Sequence, residues 1–305
     1  MTMKILISGA SGLIGRSLTK AFREEGHTVA HFVRPGGAGS PGDIAWDPAT
    51  ANVDVAAMEG VDAVIHLSGA SIADGRWSPA RKAILRSSRI DSTRLIVDAM
   101  GKMQRKPRAF LCASATGYYG NRDDEILTEE SERGIGFLPL LTRDWEAEAL
   151  RAEEYDIRTV RMRFGIILAA EGGALPQMTL PFKFGMGGKL GSGKQWMGWI
   201  ALEDVVGIVE AMIADERYHG AVNVVAPNPV QNEEFTRVLA RVLKRPAILA
   251  APAFALRLAL GEMADALLLS SQRVQPERLN AMGYAFRNTD LEGALRVILA
   301  RPQNS

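Results

Sequence analysis

Three glycines stand three residues apart in Gly9-Ala10-Ser11-Gly12-Leu13-Ile14-Gly15. This spacing can build a backbone cradle for phosphate groups. Gly9 permits a tight turn, Gly12 lets the main chain approach a pyrophosphate, and Gly15 lets a helix pack closely on a strand. The helix N-terminus adds free N–H groups and partial positive charge. The glycines carry weight only if they follow a strand and open a helix, and both conditions hold. Lys4-Ile5-Leu6-Ile7-Ser8 is the apolar run of a buried strand. Ile14, Leu18, Ala21 and Phe22 then recur at i, i+4, i+7 and i+8, one face of a helix that Gly26 closes. The expected ligand is a dinucleotide.

Arg34 follows the second strand, Thr28–Val33, 19 residues after Gly15. An acid there would hold a ribose 2′-hydroxyl, whereas an arginine suits a 2′-phosphate. No acid appears until Asp43. The pattern predicts NADP(H), with NAD(H) as the less favoured cofactor.

Metal chemistry is not expected. His27 and His31 border a strand, where four residues span roughly 13 Å, too far for one zinc held at about 2 Å. Cys112 is the single cysteine, sits in an apolar run, and reads as packing.

The elements that must position these groups alternate. After the first two strands come Asp62-Ala63-Val64-Ile65-His66-Leu67, helix-forming residues over 79–103, a strand at 108–114, a helix near 139–154 and a strand-like stretch at 158–168. Such alternation predicts an α/β fold, a Rossmann doubly wound parallel sheet with right-handed crossovers. Residues 1–168 form the expected cofactor domain, and 203–226 return to it. Residues 170–199, rich in Gly, Pro and aromatics, read as a long structured loop. The regions 169–202 and 227–305 make up the expected substrate and lid region, ending in a smaller, mainly helical C-terminal domain. Gln272-Arg273-Val274 is expected to turn back toward the cofactor domain. The 305 residues are 47% hydrophobic and 23% charged, with a formal net charge of +1. That balance gives no basic field for nucleic acid or anionic membrane. No apolar run reaches the roughly 18 residues of a membrane span, and no leader follows Lys4, so a cytoplasmic protein is expected.

The glycine-rich turn, Asp62-Ala63-Val64-Ile65-His66-Leu67-Ser68-Gly69 and Tyr119-Gly120 resemble the extended short-chain dehydrogenases/reductases, the superfamily of NAD-dependent epimerases and dehydratases. More narrowly, the chain resembles the epimerase family proteins that end in a C-terminal domain of unknown function. Four runs carry that match: Arg143-Asp144-Trp145-Glu146; Gly185-Met186-Gly187-Gly188 with Leu190-Gly191-Ser192-Gly193; Gln195-Trp196-Met197-Gly198-Trp199-Ile200; and Gln272-Arg273-Val274 with Pro276. The resemblance implies that Gly9, Ser11, Gly12, Leu13 and Ile14 line the pyrophosphate. Val33 and Arg34 would meet the adenosine end, and Leu67, Ser68 and Gly69 would border the cofactor. Ile84 and Arg89 would contact it from the following helix, and Ile167 would sit near the nicotinamide.

One departure from that family is central. Its members use a Tyr-x-x-x-Lys pair, in which the lysine favours the phenolate. The matching segment, 138–146, contains neither residue type. Tyr118 or Tyr119 could replace the tyrosine, and Arg143 and Asp144 could supply charge. The partner hydroxyl position falls on Ala115, with Ser114 or Thr116 available if the loop differs by one residue. Trp196 and Trp199 read as an apolar lid or as core. Gly187-Gly188 and Gly191-Ser192-Gly193 read as a hinge or a backbone anion site. The expected function is an NADP(H)-dependent oxidoreductase or nucleotide-sugar epimerase-like enzyme. The alternative is a non-catalytic NADP(H)-binding sensor. A small polar substrate is the expected partner, with a nucleotide sugar and a homodimer left open.

Overall fold

The computed structural model describes residues 2–37 and 39–300; Met1, Ala38 and the last five positions of the expected C-terminal region, 301–305, lie outside it. Eight strands build the central sheet: β1 (Lys4–Ser8), β2 (Thr28–Val33), β3 (Ile44–Asp47), β4 (Asn52–Val53), β5 (Ala63–His66), β6 (Ala109–Ala115), β7 (Arg158–Phe164) and β8 (Gly220–Val224). Their order across the sheet is β8-β7-β6-β5-β1-β2-β3-β4. Every neighbouring pair is parallel except β3 and β4. The chain walks outward from β1 to β4, returns beside β1 as β5, and walks the other way. The switch point at β1 and β5 is where open α/β sheets bind ligands, beyond the strand ends. Ile5, Leu6, Ile7, Val64, Ile65, Phe110 and Leu111 have no exposed surface, as unbroken apolar runs in a doubly covered sheet require.

The principal helices are α1 (Leu13–Glu24), α2 (Pro79–Lys102), α3 (Phe137–Leu150), α4 (Ala174–Lys183), α5 (Leu202–Ala214), α6 (Asn232–Leu243), α7 (Ala253–Leu260) and α8 (Leu291–Ala300). On α1, Leu18 and Phe22 enter the core while Ile14 is partly buried. Ser78 caps α2, accepting from Arg81 N at 3.1 Å, with Pro79 opening the helix. α1 packs beside α5, and α2 beside α3.

Two expectations are corrected. The strand expected at 158–168 breaks at Gly165, where a Cβ would lie 2.5 Å from Gly198 O. The chain leaves the main sheet there, and Ile166–Leu168 pairs in parallel with Trp199–Ala201. Residues 170–199 are not a loop without elements, since they hold α4. Leu175, Thr179 and Phe182 form its buried face at i, i+4 and i+7. Gly172-Gly173 before it and Pro181 in its last turn obscure that periodicity in the sequence.

The C-terminal region makes a second core, in which Phe182, Trp199, Phe235, Leu239, Leu291 and Leu295 pack together. Beyond it, Arg273–Val274 pairs in parallel with Ile126–Leu127, and Asn223 Nδ2 donates to Gln275 O at 2.9 Å. The Gln272-Arg273-Val274 segment therefore does meet the first domain.

Candidate functional site

The cradle follows directly from β1. Gly9 has φ +71°, and a Cβ there would lie 2.9 Å from the Leu67 carbonyl carbon. A Cβ on Gly15 would run into Gly9 O and come within 2.7 Å of Ala10 Cα. Both positions exclude side chains by packing. Gly12 is exposed and caps α1 with no side-chain hydrogen bond, and the first turn of α1 holds no acid. The helix terminus is thus left for an external anion. Gly172 and Gly173 lie against Leu13, and Gly173 also approaches Ile167 O. This strap brings the glycine-rich turn and the Ile166–Leu168 strand together.

A buried polar relay fixes the loop after β5. Ser8 Oγ and His66 Nδ1 are 2.6 Å apart, and Ser8 Oγ accepts from Leu67 N at 3.1 Å and Ser68 N at 3.4 Å. His66 Nε2 lies 3.2 Å from Ser92 Oγ, which donates to Ser88 O at 2.8 Å. One neutral tautomer satisfies this set: Nε2–H donates to Ser92, and Nδ1 accepts from Ser8. Burial, and after it the nearby Arg89 guanidinium, holds the His66 pKa down at about 3.

Two arginines flank the cradle. Arg34 is exposed where β2 ends, in a turn closed by Gly37 N donating to Arg34 O at 2.9 Å. Among the described residues its guanidinium has no hydrogen-bond or ion-pair partner, and Gly36 beside it is surrounded by open space. Arg89 is half-buried on α2, lying over the Trp145 ring at 5.3 Å and against the Gly69 backbone. Its Nη1 donates to Leu85 O at 3.2 Å, and among the described residues no carboxylate pairs with it. Burial, then Arg81, draws its pKa down to about 10. A half-buried cation without a carboxylate carries a desolvation cost that an anion joining it would offset. Ile84, on the same helix, is half exposed. The residues present therefore fit a dinucleotide: a side-chain-free cradle, an uncapped helix terminus and two cations without acids.

The proton carriers are arranged differently from expectation. Tyr119 has no exposed surface; its Oη donates to Asn223 Oδ1 at 2.7 Å and accepts from Arg163 Nη1 at 2.9 Å. Burial pushes its pKa up to about 12. Ser114 Oγ donates to Glu146 Oε1 at 2.6 Å. Neither group faces a pocket, because both belong to a buried network across β6, β7 and β8. At its centre Glu146 receives Arg163 Nε at 2.8 Å, Arg163 Nη2 at 2.9 Å and Arg161 Nη1 at 3.1 Å. Tyr118 is half-buried, with the Arg163 guanidinium 3.6 Å from its ring centroid. Its hydroxyl has no hydrogen-bond partner among the described residues.

Sequence reasoning missed Glu146 and Arg163. A signal was present in Arg161 and Arg163, two residues apart on a strand and so on one face. A buried arginine with a half-buried one beside it demands an acid, and Glu146 closes the run Arg143-Asp144-Trp145-Glu146. Arg143 and Asp144 form an exposed pair, with Asp144 also receiving Arg86 Nη2 at 2.7 Å.

Of the two readings of the tryptophans, core holds for Trp199, and the hinge expectation is corrected. Trp199 is wholly buried, donating from Nε1 to Asn228 O at 2.9 Å. Trp196 donates to Asp124 Oδ1 at 2.6 Å and carries Arg273 over its ring. A Cβ on Gly188 would overlap the Leu249 carbonyl. Gly187 O accepts from Leu249 N at 3.1 Å, and Gly191 N donates to Ala251 O at 2.8 Å. These glycines let two backbones meet. Cys112 is buried, which pushes its thiol pKa up. Among the described residues no group of His, Cys, Asp or Glu could hold a metal, and no helix is long and apolar enough to cross a membrane.

Residues 5–226 match the NAD dependent epimerase/dehydratase family, and 251–298 match a domain of unknown function, DUF1731. Epimerase family protein Mb2239 of Mycobacterium bovis is 41% identical over 298 residues, 98% of each chain. The chloroplastic epimerase family protein SDR39U1 homolog of Arabidopsis thaliana is 35% identical, over 97% of this chain and 87% of its own. The human epimerase family protein SDR39U1, solved with NADPH, superposes with a TM-score of 0.89 at 31% identity, covering 97% of this chain and 99% of that one. A nucleoside-diphosphate sugar epimerase from Corynebacterium glutamicum gives a TM-score of 0.81 at 33% identity, over 98% of this chain and 58% of that one.

Proposed function

The chain belongs to the NAD dependent epimerase/dehydratase family, and from that premise we propose that it is an NADP(H)-dependent oxidoreductase or epimerase-like enzyme. The observation that carries this reading is the pair of arginines without acids, Arg34 and Arg89, on either side of the side-chain-free cradle. Support for NADP(H) over NAD(H) comes from Arg34 and from the human relative solved with NADPH. In this reading Gly9, Ser11, Gly12, Leu13 and Ile14 hold the pyrophosphate, and Val33 and Arg34 hold the adenosine end. Leu67, Ser68, Gly69, Ile84 and Arg89 border the cofactor, and Ile167 lies by the nicotinamide. When bound, the nicotinamide supplies hydride transfer. Tyr118 gives its phenolic proton to the substrate oxygen, while Ser114 and Tyr119 keep the floor of the site rigid. The substrate is small and polar, with a nucleotide sugar as one candidate, and the enzyme works in the cytoplasm.

A second reading, a non-catalytic NADP(H) sensor, is favoured by one observation: Ser114 and Tyr119 are already committed to internal partners. The two are separated by mass spectrometry of co-purifying small molecules, followed by NADPH oxidation across a panel of carbonyl compounds. Turnover of any member supports the enzyme. Tight NADPH binding with no turnover across the panel supports the sensor.

A further inference from the structure

We propose that Arg163 is the positioning residue for Tyr118 and supplies the fixed positive charge that a lysine in the 138–146 segment would otherwise bring to the tyrosine. The inference rests on Tyr118 being the proton donor. On α3, Leu138 to Glu146 offers no tyrosine and no lysine. The cation is instead placed on β7, the strand beside β6. Its guanidinium lies 3.6 Å from the Tyr118 ring centroid, a face-on stack that arginine makes well.

Three features make this more than a chance contact. Arg163 is almost wholly buried, at 3% exposure, so water screens its charge little. Its orientation is fixed from two sides, since Glu146 takes Nε and Nη2 while Tyr119 Oη takes Nη1. Among the described residues, Tyr118 is the group touching this network whose hydroxyl has no hydrogen-bond partner. Its ring meets that of Tyr119 edge-on, and it packs against the cluster that Tyr119 forms with Leu127, Val225 and Val274. Val225 and Val274 in turn contact Gly198, and Val225 contacts Gly165, just before Ile166 and Ile167. Tyr118 therefore packs on a cluster that borders the segment expected to carry the nicotinamide.

The chemistry follows from the stack. When the Tyr118 O–H bond breaks, the proton passes to the substrate oxygen and the electron pair stays on the phenol oxygen. Negative charge spreads into the ring that Arg163 covers, and a pre-oriented cation there stabilises it without reorganisation. Glu146 acts through Arg163. It offsets part of that charge and holds the guanidinium flat.

The test reads Tyr118 without turnover. The full-length protein is treated with tetranitromethane, which nitrates tyrosines through the phenolate. Nitration rates at Tyr118 and Tyr155 are followed by peptide mass spectrometry. The double variant Arg163→Met with Glu146→Gln removes the cation without leaving a buried carboxylate unpaired. We expect Tyr118 nitration to slow about tenfold in it, from loss of a near, poorly screened charge, with Tyr155 unchanged. Arg163→Lys, which keeps the charge, should retain at least about half the rate. A Tyr118 rate within about twofold of wild type in a double variant of native circular dichroism overturns the proposal. If that variant does not fold, Glu146→Gln alone decides. Removing the offsetting anion should raise the Tyr118 rate, and an unchanged or lower rate overturns the proposal. Failure of the carbonyl panel would overturn the enzyme reading, whereas failure here overturns only the Arg163 assignment.

Discussion

Replacing Arg34 by alanine should weaken NADPH binding about tenfold and leave NADH binding nearly unchanged. The two cofactors differ only in the 2′-phosphate, which carries close to two negative charges at neutral pH, as other phosphate monoesters do. Arg34 is exposed at the end of β2 and has no partner among the described residues, so its removal breaks no internal contact. The loss is that of one charge-assisted hydrogen bond, roughly 1.5–3 kcal/mol. Exposure to water and salt puts the effect at the lower end, where about 1.5 kcal/mol corresponds to a factor of about 13. Salt gives an internal control. Raising ionic strength from about 0.1 to 1 M shortens the screening length from about 10 to 3 Å. The wild-type preference for NADPH should shrink accordingly, and the variant should respond less. The assay is calorimetric titration of both cofactors into both proteins at two salt concentrations. Equal weakening of NADPH and NADH would make Arg34 a general structural residue. A wild-type protein that does not distinguish the cofactors would refute the NADP(H) reading itself.

Tyr118→Phe should cost about 10²–10⁴-fold in any carbonyl reduction found, while Arg143→Ala, on an exposed pair, should stay near wild type; an equal or larger loss at Arg143 would reject the phenol as the proton donor. His66 keeps a pKa of about 3 in the folded chain against an ordinary 6.5, so between those values the unfolded chain binds the extra proton. Stability should therefore drop as pH falls below about 6.5, with this group contributing about 1.4 kcal/mol per pH unit. Urea melts of His66→Gln should lack that component, and an unchanged slope would place its origin elsewhere. Leu295→Ala, in the second core, should cost about 2–5 kcal/mol in denaturant melts; a cost below about 1 kcal/mol would mean that α8 contributes little to folding.

What was legible in the sequence is what neighbouring residues decide among themselves. The turn from Gly9 to Gly15 is such a case. A strand must end, a backbone must bend, and a helix must begin within seven positions, so each glycine has a steric reason that can be read locally. The same holds for the apolar runs of β1, β5 and β6, whose burial on both faces leaves no room for alternation, and for Arg34, whose place is set by the end of β2. The segment from Ile44 to Val53 was not legible, because two short strands at a sheet edge offer too few residues for a period to emerge. Nor was α4, where glycines and prolines at its ends mask three buried positions.

The chemistry beyond the cradle was decided only in three dimensions. Ser114, Tyr119 and Tyr118 are close in sequence and similar in promise, yet two are bound internally and one is free. That choice depends on β6 lying against β7, in the register that sets Ser114 beside Arg163, and on β7 lying against β8, which sets Asn223 on the other side. It depends also on α3 folding back so that Glu146 meets both arginines. A buried charge must find its counter-charge wherever the chain can bring one, and here the partner comes from 17 residues away in sequence. Local pattern can announce that Arg161 and Arg163 share a face of a strand. Which acid neutralises them, and which tyrosine is thereby left with a free hydroxyl, is set by strand register and helix packing, since the cost of burying an unpaired ion is met only in the assembled core.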